Sequence, residues 1–283
     1  WRIKMERQLK QEQLYKFKTH LQYEERSLAT IEKYLHDVQV FYNYVGESMF
    51  TKSEVLKYKA HLLTKYTATS ANSMLAAINV FFRFCGWYDL CVKQYKIQKS
   101  AFCPEEKELT KAEYMRLVQA AKRNSNERLN LIIQTICGTG IRVSELQYIT
   151  VEAVHKSEAF VNCKGKNRRI FIVAELRKKL LQYIKRQNIK TGAVFVTKNG
   201  KPVSRHNIWR DMKALCKDAG VSPSKVFPHN LRHLFARTFY GIEKDIAKLA
   251  DILGHTSINT TRIYIITTAT EHKRKMENMR LII

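Results

Sequence analysis

Ala159-Phe160-Val161-Asn162-Cys163-Lys164-Gly165-Lys166-Asn167-Arg168-Arg169-Ile170-Phe171-Ile172-Val173 is the stretch on which the fold class turns. Two short apolar runs, Ala159 to Cys163 and Arg169 to Val173, flank the polar Lys164-Gly165-Lys166-Asn167. Strand-prone runs separated by a glycine-containing turn read as a β-hairpin. Val194-Phe195-Val196, ended by Lys198-Asn199-Gly200-Lys201, is a third candidate strand. Nearly everything on either side has helical spacing. The expectation is a mainly α chain with one small antiparallel β-sheet.

Working outward, the first 90 residues predict a four-helix bundle. Leu9 to Tyr23 forms the first helix, and Ser27 caps a second carrying Ile31, Tyr34, Leu35, Val38, Phe41 and Tyr42 on one face. Thr51 and Ser53 cap a third with Val55, Leu56, Tyr58 and Leu62, and Ser70 or Ala71 to Phe84 makes an apolar fourth. Residues 91–105, with Lys93, Gln94, Lys96, Gln98, Lys99 and Pro104, lack periodicity and read as a linker. The linker follows a phosphate backbone on one reading and is a solvated charged loop on the other. From residue 106 to 283 a second domain is expected. Its helices run over Lys111 to Arg123 (capped by Thr110), Glu127 to Cys137, Arg205 to Lys217, Asn230 to Tyr240, Ile246 to Leu253 and about Ile258 to Ile266.

Composition narrows the function. Of 283 residues, 50 are Lys or Arg and 25 are Asp or Glu, a formal charge of +25, while 45% are hydrophobic and 11% aromatic. That is globular composition, not a disordered basic tail. A twofold excess of base repels itself unless a polyanion neutralises it, and nucleic acid is the first such partner. A generic basic surface is the plain alternative. A membrane surface fits poorly, because the charge is spread along both halves of the chain, and the longest apolar runs are too short to span a bilayer. Cys85, Cys91, Cys103, Cys137, Cys163 and Cys216 show no metal-ligand spacing and read as reduced packing residues of a cytoplasmic protein. No secretory leader is visible, since Trp1 to Lys10 is basic with no apolar run after it.

The chemistry-bearing groups are cationic and aromatic. No phosphate-binding glycine loop, HExxH or acidic metal cluster occurs, so two-metal nuclease chemistry has little to build on. Instead Gly138-Thr139-Gly140-Ile141-Arg142-Val143-Ser144-Glu145-Leu146 sets an arginine after a turn. His229-Asn230-Leu231-Arg232-His233 puts His229 and Arg232 on one helical face. Leu253-Gly254-His255 ends a helix, and the next carries Thr260, Thr261 and Tyr264. Singly, each is more often a surface cation, a satisfied polar residue or a core aromatic. Together they cohere. Two guanidiniums can clamp a phosphodiester, histidines can exchange a proton, a tyrosine hydroxyl can attack phosphorus, and a hairpin lysine can protonate the leaving oxygen. None of these steps needs a metal.

These three boxes, in this order and at these separations, resemble the signature of the tyrosine recombinase (phage integrase) family, and the resemblance covers essentially the whole chain. It implies an N-terminal four-helix SAM-like core-site-binding bundle followed by an α+β catalytic domain, closing as a C-shaped clamp on duplex DNA. It implies that Arg142 and Arg232 bind the scissile phosphate, His229 accepts the tyrosine proton, His255 hydrogen-bonds the phosphate, and Tyr264 attacks. The product would be a 3′-phosphotyrosyl link and a free 5′-hydroxyl, rejoined through a Holliday junction without ATP, cofactor or metal. The general acid aligns best with Lys164, with Lys166 two residues on as the alternative. The chain departs from the family pattern at Cys163, where glycine is commoner, and at Ile172, where many relatives have proline.

Asn72, Arg168, Arg205 and Arg210 are the expected DNA contacts. The implied partners are double-stranded core sites with inverted repeats, a homo-tetramer on paired sites, and accessory DNA-bending proteins where a system uses them. Thr267 to Ile283 would dock on a neighbouring protomer or, on the plainer reading, pack as a helix on its own domain, and no separate arm-binding domain is visible, as in the simpler Xer-like members. A cytoplasmic protein, at the nucleoid when bound to DNA, is expected. A type IB topoisomerase-like enzyme is disfavoured by the Leu-Gly-His box and the bundle. A DNA-binding protein without catalysis is disfavoured by retention of every reactive group.

Overall fold

The computed structural model describes residues 7–97, 107–163, 166–197, 199–265, 273 and 276–279. The chain divides into two compact units, Trp1–Lys99 and Ser100–Ile283.

The first unit packs α1 (Gln11–Tyr23), α2 (Leu28–Val45), α3 (Lys52–Lys65) and α4 (Ala68–Phe84). Ser27 accepts from the Thr30 N–H, and Thr51 forms a capping box with Glu54, so both predicted caps form. The fourth helix begins earlier than expected, because Thr67 caps it and accepts from Ser70. The core is aromatic. Phe41 meets Tyr58 edge-on at 5.0 Å and Phe82 at 5.5 Å, and Phe17 meets Phe81 at 5.2 Å.

The chain after α4 is not a free linker at its start. Val92 is buried, and two side-chain amides of α4 bind the extended segment as a neighbouring strand would. Asn79 donates to the Val92 carbonyl at 2.8 Å and accepts from its N–H at 2.9 Å. Asn72 does the same for Tyr95, at 2.9 and 2.7 Å. Lys59 Nζ donates to the Lys93 carbonyl, and Tyr95 Oη returns a hydrogen bond to the Lys59 carbonyl, both at 2.7 Å. Residues 98–105 of the expected linker lie outside the described residues. Asn72, expected to read bases, thus has both ends of its amide engaged within its own unit.

The second unit opens with α5 (Lys111–Arg123), capped by Thr110 as predicted, and α6 (Glu127–Thr139). A 3-10 stretch, Val143–Tyr148, leads to α7 (Val151–Lys156) and the hairpin of β1 (Glu158–Cys163) and β2 (Lys166–Phe171). The strands are antiparallel, with Ala159 opposite Ile170 and Val161 opposite Arg168. Alternation sends Ala159, Val161, Arg168 and Ile170 inward and leaves Phe160 and Phe171 exposed. Then come α8 (Ala174–Arg186), α9 (Arg205–Ala214), α10 (Cys216–Ala219), α11 (Pro228–Glu243), α12 (Ile246–Leu253) and α13 (Ile258–Ile265).

Three expectations are corrected. Val194-Phe195-Val196 makes no third strand: single bridges join Thr150 to Ala193 and Val196 to Pro202, and proline lacks the N–H to extend the ladder. The helix expected over Arg205 to Lys217 breaks at Leu215 into α9 and α10. Residues 174–186, assigned no element from sequence, form α8, whose buried Leu176, Leu180, Tyr183 and Ile184 carry the helical spacing that marks it. None of the described helices is long and apolar enough to cross a membrane.

Replacing Asn72 by alanine strands the backbone groups of half-buried Tyr95. The first unit should lose about 1–3 kcal/mol in urea denaturation, and DNA sequence preference should stay unchanged. A shifted preference at full stability would restore Asn72 as a base reader.

Candidate active site

Arg232 is the organising residue. It lies in the first turns of α11, which starts at Pro228, a residue suited to the first helical position. The side chain is 1% exposed, the largest fully buried one among the described residues. Its Nη1 donates to the Gly140 carbonyl, and its Nη2 donates to the Leu253 carbonyl at 2.7 Å and to His255 Nε2 at 2.9 Å. Gly140 ends α6 and Leu253 ends α12, so one guanidinium serves carbonyls at two helix C-termini, where the dipole favours a cation. Each of those helices stops on a glycine at φ +64°, Gly140 and Gly254. A side chain at residue 140 would also drive its Cβ to 2.4 Å from Phe235.

A guanidinium can only donate, so His255 Nε2 must accept, which places the imidazole proton on Nδ1. From there it reaches Thr261 Oγ1 at 2.9 Å, within fully buried surroundings on α13. Tyr264, one turn further on, is 6% exposed. Its Oη is 3.4 Å from His229 Nε2, its ring stacks on His233 at 4.3 Å, and the Arg232 guanidinium lies 5.8 Å from the ring centre. His229, Arg232 and His233 share one face of α11 through their i, i+3, i+4 spacing.

Arg142 precedes the 3-10 stretch. Its N–H and Nη1 donate to Glu145 at 2.8 and 2.9 Å. Glu145, 3% exposed, also accepts from Arg168 Nη2. A cleft of about 830 Å³ opens here, lined by Arg142, Glu145, Asn167, Arg168, Arg169, His255 and Thr260 among others.

The structure therefore joins Arg142, His229, Arg232, His255 and Tyr264 around one centre. Lys164, the expected acid, lies outside the described residues, as do Gly165 and the expected docking segment 267–283 apart from 273 and 276–279. Lys166 opens β2, paired with Cys163. Arg205 and Arg210 lie on the exposed face of α9, Arg210 beside Asp211 at 3.3 Å. Trp209 on the same helix is stacked by His206 and lies under Lys213. Arg168, expected on DNA, points inward instead. Glu145, Thr261 and His233 lie within the motifs but carry no role in the sequence analysis. Glu145 sits in the Arg-x-x-Glu spacing of a capping box, a signal that was available.

The electrostatics are lopsided. Burial, then the Arg142 charge, pulls Arg232 down to about 10, still cationic at neutral pH. Burial, then Arg232 and Arg142, pushes His255 down to about 4. Burial, then His229 and Arg232, pushes His233 to about 4. His229 is also lowered, by burial and then by Arg232, Arg142 and Arg205. All three imidazoles are neutral at pH 7, so His229 holds a lone pair for a proton from Tyr264. Among the described residues no metal-binding cluster of His, Cys, Asp or Glu forms.

The family model described as the phage integrase family matches residues 107–271, and that of the phage integrase N-terminal SAM-like domain matches residues 14–87. Tyrosine recombinase XerA of Pyrococcus furiosus is 31% identical over 287 residues, covering 98% of this chain and 97% of its own. The crystal structure of XerA recombinase aligns with TM-score 0.55 at 26% identity, over 96% of this chain and 99% of that one. A lambda integrase tetramer bound to a Holliday junction aligns with TM-score 0.73 at 18% identity, over 89% and 76%, a likeness of fold.

Because His233 and His255 resist protonation when folded, the unfolded chain binds more protons below its histidine pKa of about 6.5. Stability should be flat above pH 6.5 and fall from there towards pH 4. The window from 6.5 to 5, above most carboxylates, is diagnostic. His233→Phe should flatten part of that fall in urea titrations; an unchanged slope would show that His233 is not neutral in the fold.

Proposed function

The chain belongs to the phage integrase family, the tyrosine recombinases, and from that premise we propose that Tyr264 is its nucleophile, acting in a pocket built on Arg232. The protein is an enzyme of site-specific recombination that cleaves and rejoins DNA strands. The observation that carries the residue assignment is the convergence of Tyr264, from α13, on His229 and Arg232, from α11, beside His255 at the end of α12.

In this reading Tyr264 Oη attacks the scissile phosphorus while His229 Nε2 takes its proton. The P–O5′ bond breaks as the new P–Oη bond forms, leaving a 3′-phosphotyrosyl link. The departing 5′-oxygen takes a proton from the hairpin lysine, Lys164 or, two residues on, Lys166. Arg142 and Arg232 stabilise the charge that grows on the non-bridging oxygens. His255 completes the pocket. Its Nε2 accepts from Arg232 in the free protein, so it donates to a phosphate oxygen only after gaining a proton there. Attack by the 5′-hydroxyl of a second strand reverses the chemistry and conserves the bond energy, so no ATP enters.

Inverted-repeat core sites, a homo-tetramer and a Holliday-junction intermediate complete the proposal, supported by the lambda integrase likeness. Accessory DNA-bending proteins, and a role in integration, excision or dimer resolution, change which sites are joined and not the chemistry. The exposed cations and Trp209 of α9 suit a DNA-facing surface, with most contacts to phosphate.

Tyr264→Phe should abolish covalent trapping on a nicked suicide duplex with binding nearly intact; persistent trapping would refute the assignment. Cleavage should proceed in EDTA, and Arg232→Ala should slow it about 10²–10³-fold or more. Lys164→Ala and Lys166→Ala, tested on a 5′-phosphorothiolate whose leaving group needs no acid, separate the two lysines. Only loss of the true acid is rescued.

A further inference from the structure

Arg168 occupies an inward position of β2, opposite Val161 and two residues before Ile170, where the neighbours are aliphatic. Its side chain is 8% exposed, against 56% for Arg169 beside it. An arginine in such a place needs partners, and it has them on two other segments. Nη2 donates to Glu145 Oε2 at 2.5 Å, and Nη1 donates to the Ile252 carbonyl at 2.9 Å, in the last turn of α12. Its Cδ crosses Gly254 so closely that a Cβ there would lie 2.7 Å away. The residue after that glycine is His255. Glu145 in turn holds both the backbone and the guanidinium of Arg142.

We propose that Arg168 is a positioning residue for strand cleavage, fixing the Glu145 carboxylate that orients Arg142 and tying β2 to the turn that carries His255. It is not one of the cations that grip DNA. The inference rests on the assignment of Arg142 to the scissile phosphate. The shared carboxylate is the lever. With Arg168 in place, Glu145 is divided between two cations, its Oε2 accepting from Arg168 and its Oε1 from the Arg142 guanidinium. Without Arg168 a buried carboxylate keeps Arg142 as its one strong partner and draws that guanidinium away from a phosphate. Only a fork of N–H donors reaches a carboxylate and a carbonyl at once, so lysine is a poor substitute. The Arg168 charge also adds to those that keep His255 neutral.

The test uses the full chain. Arg168→Lys and Arg168→Met are each made in the wild-type and Arg142→Ala backgrounds, with thermal unfolding as a folding check. Single-turnover trapping on a nicked suicide duplex is measured at saturating protein, and duplex affinity is measured across salt. The expected result is cleavage slowed at least about tenfold by either substitution in the wild-type background and less than about threefold once Arg142 is absent. Affinity and its salt slope should stay unchanged, because a lost phosphate contact would lower that slope by about 1. Equal slowing in both backgrounds, a reduced salt slope, or wild-type cleavage by Arg168→Lys would each overturn the proposal. Arg168→Lys keeps the charge and decides the matter if Arg168→Met does not fold. Wild-type cleavage by Arg142→Ala alone would place the fault in the Arg142 assignment itself.

Discussion

One buried guanidinium closes the second unit. Arg232 bonds the carbonyls that end α6 and α12 and the imidazole that follows α12, so two stretches far apart in the chain, at residue 140 and residues 253–255, meet on its planar fork. A charge so placed is destabilising unless its donors find acceptors, a penalty of several kcal/mol for an ion left unpaired. Helix C-termini are well suited to the task, because their carbonyls lack partners and carry partial negative charge. Both glycine stops follow from the same need. Each lets the helix end in a left-handed turn, and at Gly140 and Gly254 the space a side chain would fill is taken by Phe235 and Arg168. The motif glycines and the motif arginine are parts of one construction.

Burial, and after it the excess of cations, sets the protonation of the imidazoles nearby. Arg142 and Arg168 share one carboxylate, Glu145, while Arg232 is held by two carbonyls and an imidazole, so the local charge is positive before DNA arrives. Imidazoles buried in that field stay neutral, burial first and the cations second, and a neutral His229 beside Tyr264 can receive a proton where an imidazolium could not. On the proposed assignment a phosphodiester supplies the negative charge the pocket lacks. Desolvation strengthens that attraction, since fixed charges act more strongly in a dry site than in water.

Much of this was legible in the sequence, for identifiable reasons. Capping residues report directly on helix starts, so Ser27, Thr51 and Thr110 placed three of them. The candidate site residues lie in short motifs whose members sit on one helical face or at one turn, and it is the resemblance of those motifs to a known family, not their spacing alone, that implies their roles. What spacing cannot report is the partner across the fold. Arg168 and Arg169 are adjacent and alike in sequence, and only the hairpin register sends one inward to Glu145. Asn72 looks like a free amide on a helix, yet its partner is Tyr95, beyond the end of α4. Val194-Phe195-Val196 is as apolar as a strand, but burial there comes from packing and not from a ladder.

The central claim is that the pocket around Arg232 delivers Tyr264 to phosphorus. Its most direct test is the chemical identity of the trapped adduct. After reaction with a nicked suicide duplex in EDTA, the covalent complex is digested with protease and nuclease, and the modified peptide is sequenced by mass spectrometry. The account predicts a nucleotide joined through its 3′-phosphate to the oxygen of Tyr264 and to no other residue. An adduct on a different side chain, or one held through a 5′-phosphate, would contradict it.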